Sequence, residues 1–137
     1  MIESRLFFDT GMFILIWLVQ LIIYPSFLFY SKENFLKWHK SYTKALMLIV
    51  GPLLAGQGLT VAYQFFTTYS FYSFISSILI TTAVVYTFIH FIPLHAELER
   101  NHSLKTIKKL INNNWYRTFI WTLVVIIDVF YIVLAKY

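Results

Sequence analysis

Residues 45–96 read ALMLIVGPLLAGQGLTVAYQFFTTYSFYSFISSILITTAVVYTFIHFIPLHA and contain no Asp, Glu, Lys or Arg. A helix needs about 20 predominantly apolar residues to cross a bilayer. Fifty-two uncharged residues in a row therefore cross twice, and the uncharged TTYS at 67–70 is the turn between the two crossings. Working outward, residues 11–30 (GMFILIWLVQLIIYPSFLFY) carry no charge, and residues 115–135 carry only Arg117 at the margin and Asp128. The expected architecture is all-α: an integral membrane four-helix bundle with short loops. It forms a single domain over residues 1–137, with spans at about 11–30, 45–66, 72–93 and 115–135. Composition agrees, since 59% of the residues are hydrophobic and 12% are charged, against about 25% charged in soluble domains. A soluble enzyme, a nucleic-acid-binding domain and a disordered chain are excluded. No cysteine is present, so disulfides, thiolate ligands and covalent c-type haem attachment are excluded too.

The formal charge of +5 describes orientation. Lys32, Lys37, Lys40 and Lys44 follow span one, and Arg100, Lys105, Lys108, Lys109 and Arg117 lie between spans three and four. Nine of the eleven basic residues thus share one face, with only Arg5 and Lys136 on the other. The positive-inside rule places that face in the cytoplasm and both termini outside. The stretch between spans three and four intersperses Leu98, Leu104, Ile107, Leu110 and Ile111 among its lysines, the pattern of a basic helix resting on headgroups. Glu3, Arg5 and Asp9, a long apolar run and no small-residue cleavage site argue against a cleavable signal peptide.

At 100° per residue the polar side chains fall into stripes. Asp9, Gln20, Tyr24 and Phe27 share a face of span one, and His39, Gln57 and Gln64 share one of span two. Tyr72, Ser76, Ala83, Tyr86 and His90 share one of span three, and Asn114, Arg117, Thr118, Trp121 and Asp128 one of span four. Polar groups avoid lipid, so the stripes are expected to face one another, either as interhelical hydrogen bonds or as a site. Gly51, Ala55, Gly56, Gly58 and Ala62 allow close helix approach on span two, and Pro52 and Pro93 are expected to kink their helices. Asp128 is expected to meet Asp9, Tyr131, a polar partner on span one or water.

All four histidines, His39, His90, His95 and His102, fall at the basic end. Neutral imidazole ligates metals and haem iron, so His39, His90 and His95 form a candidate metal or haem set. His90 and His95 lie 140° apart on a regular helix, but Pro93 between them breaks that regularity. Glu99 and His102 have the Glu-x-x-His spacing of di-iron bundles, with too few carboxylates nearby to complete such a centre. No phosphate loop, nucleophile elbow, HExxH or dinucleotide glycine pattern occurs.

YPSF at 24–27, FLKWHKSY at 35–42, GPLLAGQ at 51–57, PLHAEL at 93–98 and NNWYRTFIW at 113–121 together resemble a group of small bacterial four-span membrane proteins. That group is distantly similar to the anthrone oxygenase family, which oxidises polycyclic phenols. A second similarity, through the Tyr/Pro/Phe/Tyr cluster ending span one, is to the membrane-type protoporphyrinogen oxidases, which are haem proteins. The resemblance picks out Tyr24, Pro25, His39, Tyr42, Pro52, Gln57, Pro93, His95, Asn114, Trp115, Arg117, Thr118 and Trp121. It implies a bacterial inner-membrane protein, and an oxidoreductase or oxygenase-like enzyme acting on a hydrophobic ring-bearing substrate at the cytoplasmic end. His39 and His95 are expected as base or ligand, Arg117 as the holder of an anionic group, and Tyr42, Gln57, Trp115 and Trp121 as substrate-binding residues. The expected partners are the lipid bilayer and a hydrophobic small molecule, with homo-oligomerisation open and no nucleic acid. The alternatives are a non-catalytic subunit that binds haem, quinone or lipid or packs in a larger complex, and a small transporter built on Asp128 and the glutamines.

Overall fold

The computed structural model describes residues 2–134 and holds four helices long and apolar enough to cross a membrane. They are α1 (Ile2–Phe29), α2 (Lys32–Thr67), α3 (Phe71–Arg100) and α4 (Leu104–Leu134). There is no strand among the described residues. The chain is an all-α four-helix bundle of the integral membrane class. Ala135, the last residue of the expected fourth span, and Lys136 lie outside the described residues. The three breaks between helices each end on a serine that caps the next helix. Ser31 Oγ accepts from the Asn34 amide and Ser103 Oγ from the Thr106 amide. Ser70 and Ser73 form a reciprocal capping box. Each cap satisfies orphan donors of a first turn.

Two boundaries differ from the expected ones. Helix α1 begins at Ile2, so Arg5 and Asp9 lie within the bundle, 1% and 0% exposed. The pair is four residues apart on one helix and bonded to itself, which lets the helix continue through two charges. The anticipated separate headgroup helix between spans three and four is absent. Only residues 101–103 link α3 to α4, and Lys105, Lys108 and Lys109 ride on the first turns of α4. Ile107 and Leu110 on that stretch are fully buried, so it packs on the bundle. Helix α2, at 36 residues, is about 54 Å long at 1.5 Å per residue. A hydrocarbon core is about 30 Å thick, so the lysine-bearing start of α2 extends beyond it.

Two wide π turns set the rotation of α1 and α3. They cover Val19–Ile23 and Thr87–Phe91, and each ends two residues before a proline, Pro25 or Pro93. Proline has no amide hydrogen and its ring clashes with the carbonyl four residues earlier. Widening the preceding turn relieves that clash. On a regular helix His90 falls on the face of buried Ala83. The extra residue of the π turn brings Phe91, Leu94 and Leu98 to that face and turns His90 outward. Pro52 sits inside α2 with no break in the helix.

The core has two halves. Tyr24, Phe27, Phe35, Phe91, Leu94, Leu98, Ile107 and Leu110 pack at the basic end. Met12, Ile16, Val61, Ile80, Ala83, Ile120, Trp121 and Val124 fill the half toward the termini. Helices α1 and α2 meet closely at Gly56, where an added Cβ would collide with the Phe8 ring. Phe29, Phe66, Leu48 and Phe71 point outward at 79–89% exposure.

Candidate functional site

At the basic end four side chains form a continuous hydrogen-bonded line. Tyr24 from α1 lies 3.1 Å from His95 Nε2 on α3. His95 Nδ1 lies 2.8 Å from His39 Nε2 on α2. His39 Nδ1 lies 3.0 Å from Glu99 Oε1, back on α3. One assignment of protons satisfies every contact with both imidazoles neutral and Glu99 ionised. A carboxylate only accepts, so His39 Nδ1–H donates to Glu99. His39 Nε2 then accepts from His95 Nδ1–H, and His95 Nε2 accepts from the Tyr24 hydroxyl. The line therefore has a direction. It begins at buried Tyr24, passes through fully buried His39 and ends at Glu99, whose side chain is 38% exposed.

The π turns and prolines beside Tyr24 and His95 aim these two side chains. Phe35 stacks on His39 with ring centres 5.0 Å apart, and Phe27 meets the same imidazole edge-on at 5.9 Å. Tyr30, Trp38 and Tyr42 form a parallel stack with 4.8 Å between successive rings. The Tyr42 hydroxyl and Arg117 Nε are buried and have no hydrogen-bond partner. The Arg117 guanidinium sits 4.2 Å above the Phe91 ring, which itself stacks on Tyr24 at 6.2 Å. Two unsatisfied donors thus lie beside the start of the line. A groove of about 400 Å³ lined by Ile23, Trp38, Tyr42, Leu46 and Ile49 lies on the surface of the bundle next to Tyr42. His39 precedes the uncharged part of α2 by six residues, about 9 Å of helix, while Tyr24 and His95 lie within the uncharged runs of α1 and α3.

The expected residues separate into two groups. His39, His95, Tyr42 and Arg117 come together as described. His90 does not join them: it is exposed, tilted against the Tyr86 ring at 4.3 Å, at the edge of a different groove of about 560 Å³ between α2 and α3. The expected triad of His39, His90 and His95 is therefore not assembled. The ring nitrogens of His39 and His95 are all engaged, and no group of three or more His, Cys, Asp or Glu fit to hold a metal occurs among the described residues. Glu99 pairs with His39, while His102 packs on Phe35 at 4.6 Å, so the Glu-x-x-His pair does not act as a unit. Trp115 is 47% exposed and edge-on to Trp17 at 5.9 Å.

Gln57 and Trp121 belong elsewhere. Gln57 is eighteen residues from His39, about 27 Å along α2. It donates to Asp9 Oδ1 at 2.6 Å and accepts from the Trp121 indole at 3.3 Å. Both residues are part of a second polar cluster toward the termini. There Arg5 bonds Asp9 Oδ2 through Nε at 3.0 Å and Gln64 Oε1 through Nη1 at 2.6 Å. Arg5 Nη2 lies 3.5 Å from Asp128 Oδ1, which accepts the Tyr72 hydroxyl at 2.7 Å. Asp128 thus meets span one as expected, through Arg5. Tyr131 stacks on Tyr72 at 3.9 Å instead of bonding the carboxylate. Gln20 and Asn114 bond to each other at 2.9 Å between the two centres.

Sequence reasoning placed Tyr24 on an inward stripe but gave it no chemistry, and it read Arg5 only as a charge outside the membrane. The Arg5/Asp9 spacing of four residues was the available signal for an ion pair within the bundle. The fold and these two centres define a four-helix membrane protein with a histidine line at one end and a buried ionic cluster at the other. No family model, curated protein or solved structure matches this chain.

Proposed function

We propose that the protein is a membrane-embedded enzyme of oxidoreductase or oxygenase type that withdraws a proton from a hydrophobic, ring-bearing molecule at the basic end of the bundle. The observation that carries this reading is the line from Tyr24 through His95 and His39 to Glu99. When the Tyr24 proton passes to His95 Nε2, the His95 Nδ1 proton passes to His39, and the His39 Nδ1 proton to Glu99. The Tyr24 phenolate left behind takes a proton from the substrate, so the net transfer runs from substrate to Glu99 and on to water. Arg117 Nε and the Tyr42 hydroxyl are free to hold the oxygen of the resulting anion, and the groove beside Tyr42 admits the molecule from lipid. Oxidation of that anion needs an acceptor such as dioxygen. Ligation of haem or another metal by His39 or His95 is disfavoured, because it would break a line in which every ring nitrogen is already bonded.

Positioned general acids and bases contribute about 10²–10⁴-fold in rate. The test is dioxygen uptake by the protein in lipid nanodiscs with a panel of lipid-soluble phenols and hydroquinones. Uptake with at least one compound, falling about 100-fold or more in Tyr24→Phe and His95→Gln, is the expected result. No uptake with any compound, or equal uptake in both variants, overturns the reading.

The location follows from charge. With the lysine-rich helix ends in the cytoplasm of a bacterial inner membrane, both termini are outside and Glu99 returns its proton to the cytoplasm. Single cysteines at Ser31 and Ser103 should resist an impermeant thiol reagent in intact cells, while one at Ser4 should react. The reverse pattern overturns the orientation.

A further inference from the structure

The cluster of Arg5, Asp9 and Asp128 is enclosed, and its formal charges do not balance. Arg5 contributes one positive charge, while Asp9 and Asp128 contribute two negative ones, all at 0–1% exposure. The groups facing it from the other helices add no cation: Gln57 and Gln64 from α2, Tyr72 from α3, and Trp121 and Tyr131 from α4. An uncompensated charge so deeply buried is strongly unfavourable, and such groups neutralise instead. Two carboxylates on one guanidinium are the arrangement in which one proton is retained.

The oxygen inventory shows what restores the balance. Asp9 Oδ1 accepts from Gln57 and Asp9 Oδ2 from Arg5. Asp128 Oδ1 accepts from Tyr72 and faces Arg5. Asp128 Oδ2 is buried and has no partner. A hard metal cation requires about six oxygen ligands, and the cluster has one oxygen free. A proton requires one. We propose that the Asp9–Asp128 pair is a proton-binding site, with the proton seated on Asp128 Oδ2, separate from the histidine line and about a bundle length away from it.

The consequence has a definite sign. In the unfolded chain both aspartates are ionised at neutral pH, so the folded protein holds one more proton. Stability then falls as pH rises from the unfolded aspartate pKa, about 4, and levels off once the folded protein has released that proton. This reading stands whether or not the histidine line is catalytic.

Infrared spectroscopy of the protein in nanodiscs at neutral pH tests it. The expected result is a protonated-carboxyl C=O band that shifts in D2O and disappears in Asp128→Asn. It should also disappear in Asp9→Asn, because the remaining aspartate is then balanced by Arg5. Absence of the band in the unaltered protein, or its survival in Asp128→Asn, overturns the proposal. A second measurement needs no variant: the thermal midpoint should fall as pH rises from about 5 to about 7, above the unfolded aspartate pKa of about 4, and a flat profile there overturns the proposal as well.

Discussion

The two ends of the bundle use polar residues in opposite ways. At the basic end Tyr24, His95, His39 and Glu99 make a line with a buried beginning and a wet end. At the other end Arg5, Asp9, Gln57, Gln64, Tyr72 and Asp128 make a closed cluster with contributions from all four helices and no exposed member. A line of neutral donor–acceptor groups can pass a proton and reset. A closed ionic cluster in a low-dielectric core instead holds helices in register, since removing its one cation strands a charge. One end is therefore suited to traffic and the other to clamping.

The sharpest way to break the comparison is to remove the cation. Arg5→Met leaves the ionised carboxylate of the buried pair with no counter-charge, which should cost about 3–5 kcal/mol and lower the yield of folded protein and its thermal midpoint. A midpoint near that of the unaltered protein would mean the cluster does not clamp the bundle. The wet end should respond much less. Glu99→Gln removes a partly exposed partner, and such pairs are worth about 0–1 kcal/mol, so the thermal midpoint should barely move. Nitrogen NMR should still find both His39 and His95 protonated on Nδ1, because the glutamine carbonyl continues to accept. The proton outlet is lost, so turnover should fall while stability does not. Tautomers reversed in either protein would reverse the direction of the line.

The difference between the ends also explains what could be read in advance. Inward stripes were legible wherever the helix was regular. His39, Gln57 and Gln64 are all buried along uninterrupted α2, and Asn114, Thr118, Trp121 and Asp128 are buried along α4. The stripe on α3 failed at His90, because a π turn before Pro93 adds a residue that a fixed 100° step does not count. Trp115 was named through the resemblance and lay off the span-four stripe; one helical step from buried Asn114 turns its side chain by 100°, and it is 47% exposed.

By itself the sequence determined the class: fifty-two uncharged residues between Lys44 and Glu97 admit only membrane crossings. It also determined that the histidines share one end, because helix length and the order of the spans leave no alternative. Tertiary structure alone decided the partners. Glu99 bonds His39 across sixty residues and Arg5 reaches Gln64 across fifty-nine. Helical spacing reports which face a residue occupies; it carries no information on which facing side chain lies within 3 Å. That depends on how far each helix rotates at its π turn and on the height at which close contacts such as Gly56 against Phe8 lock neighbouring helices together.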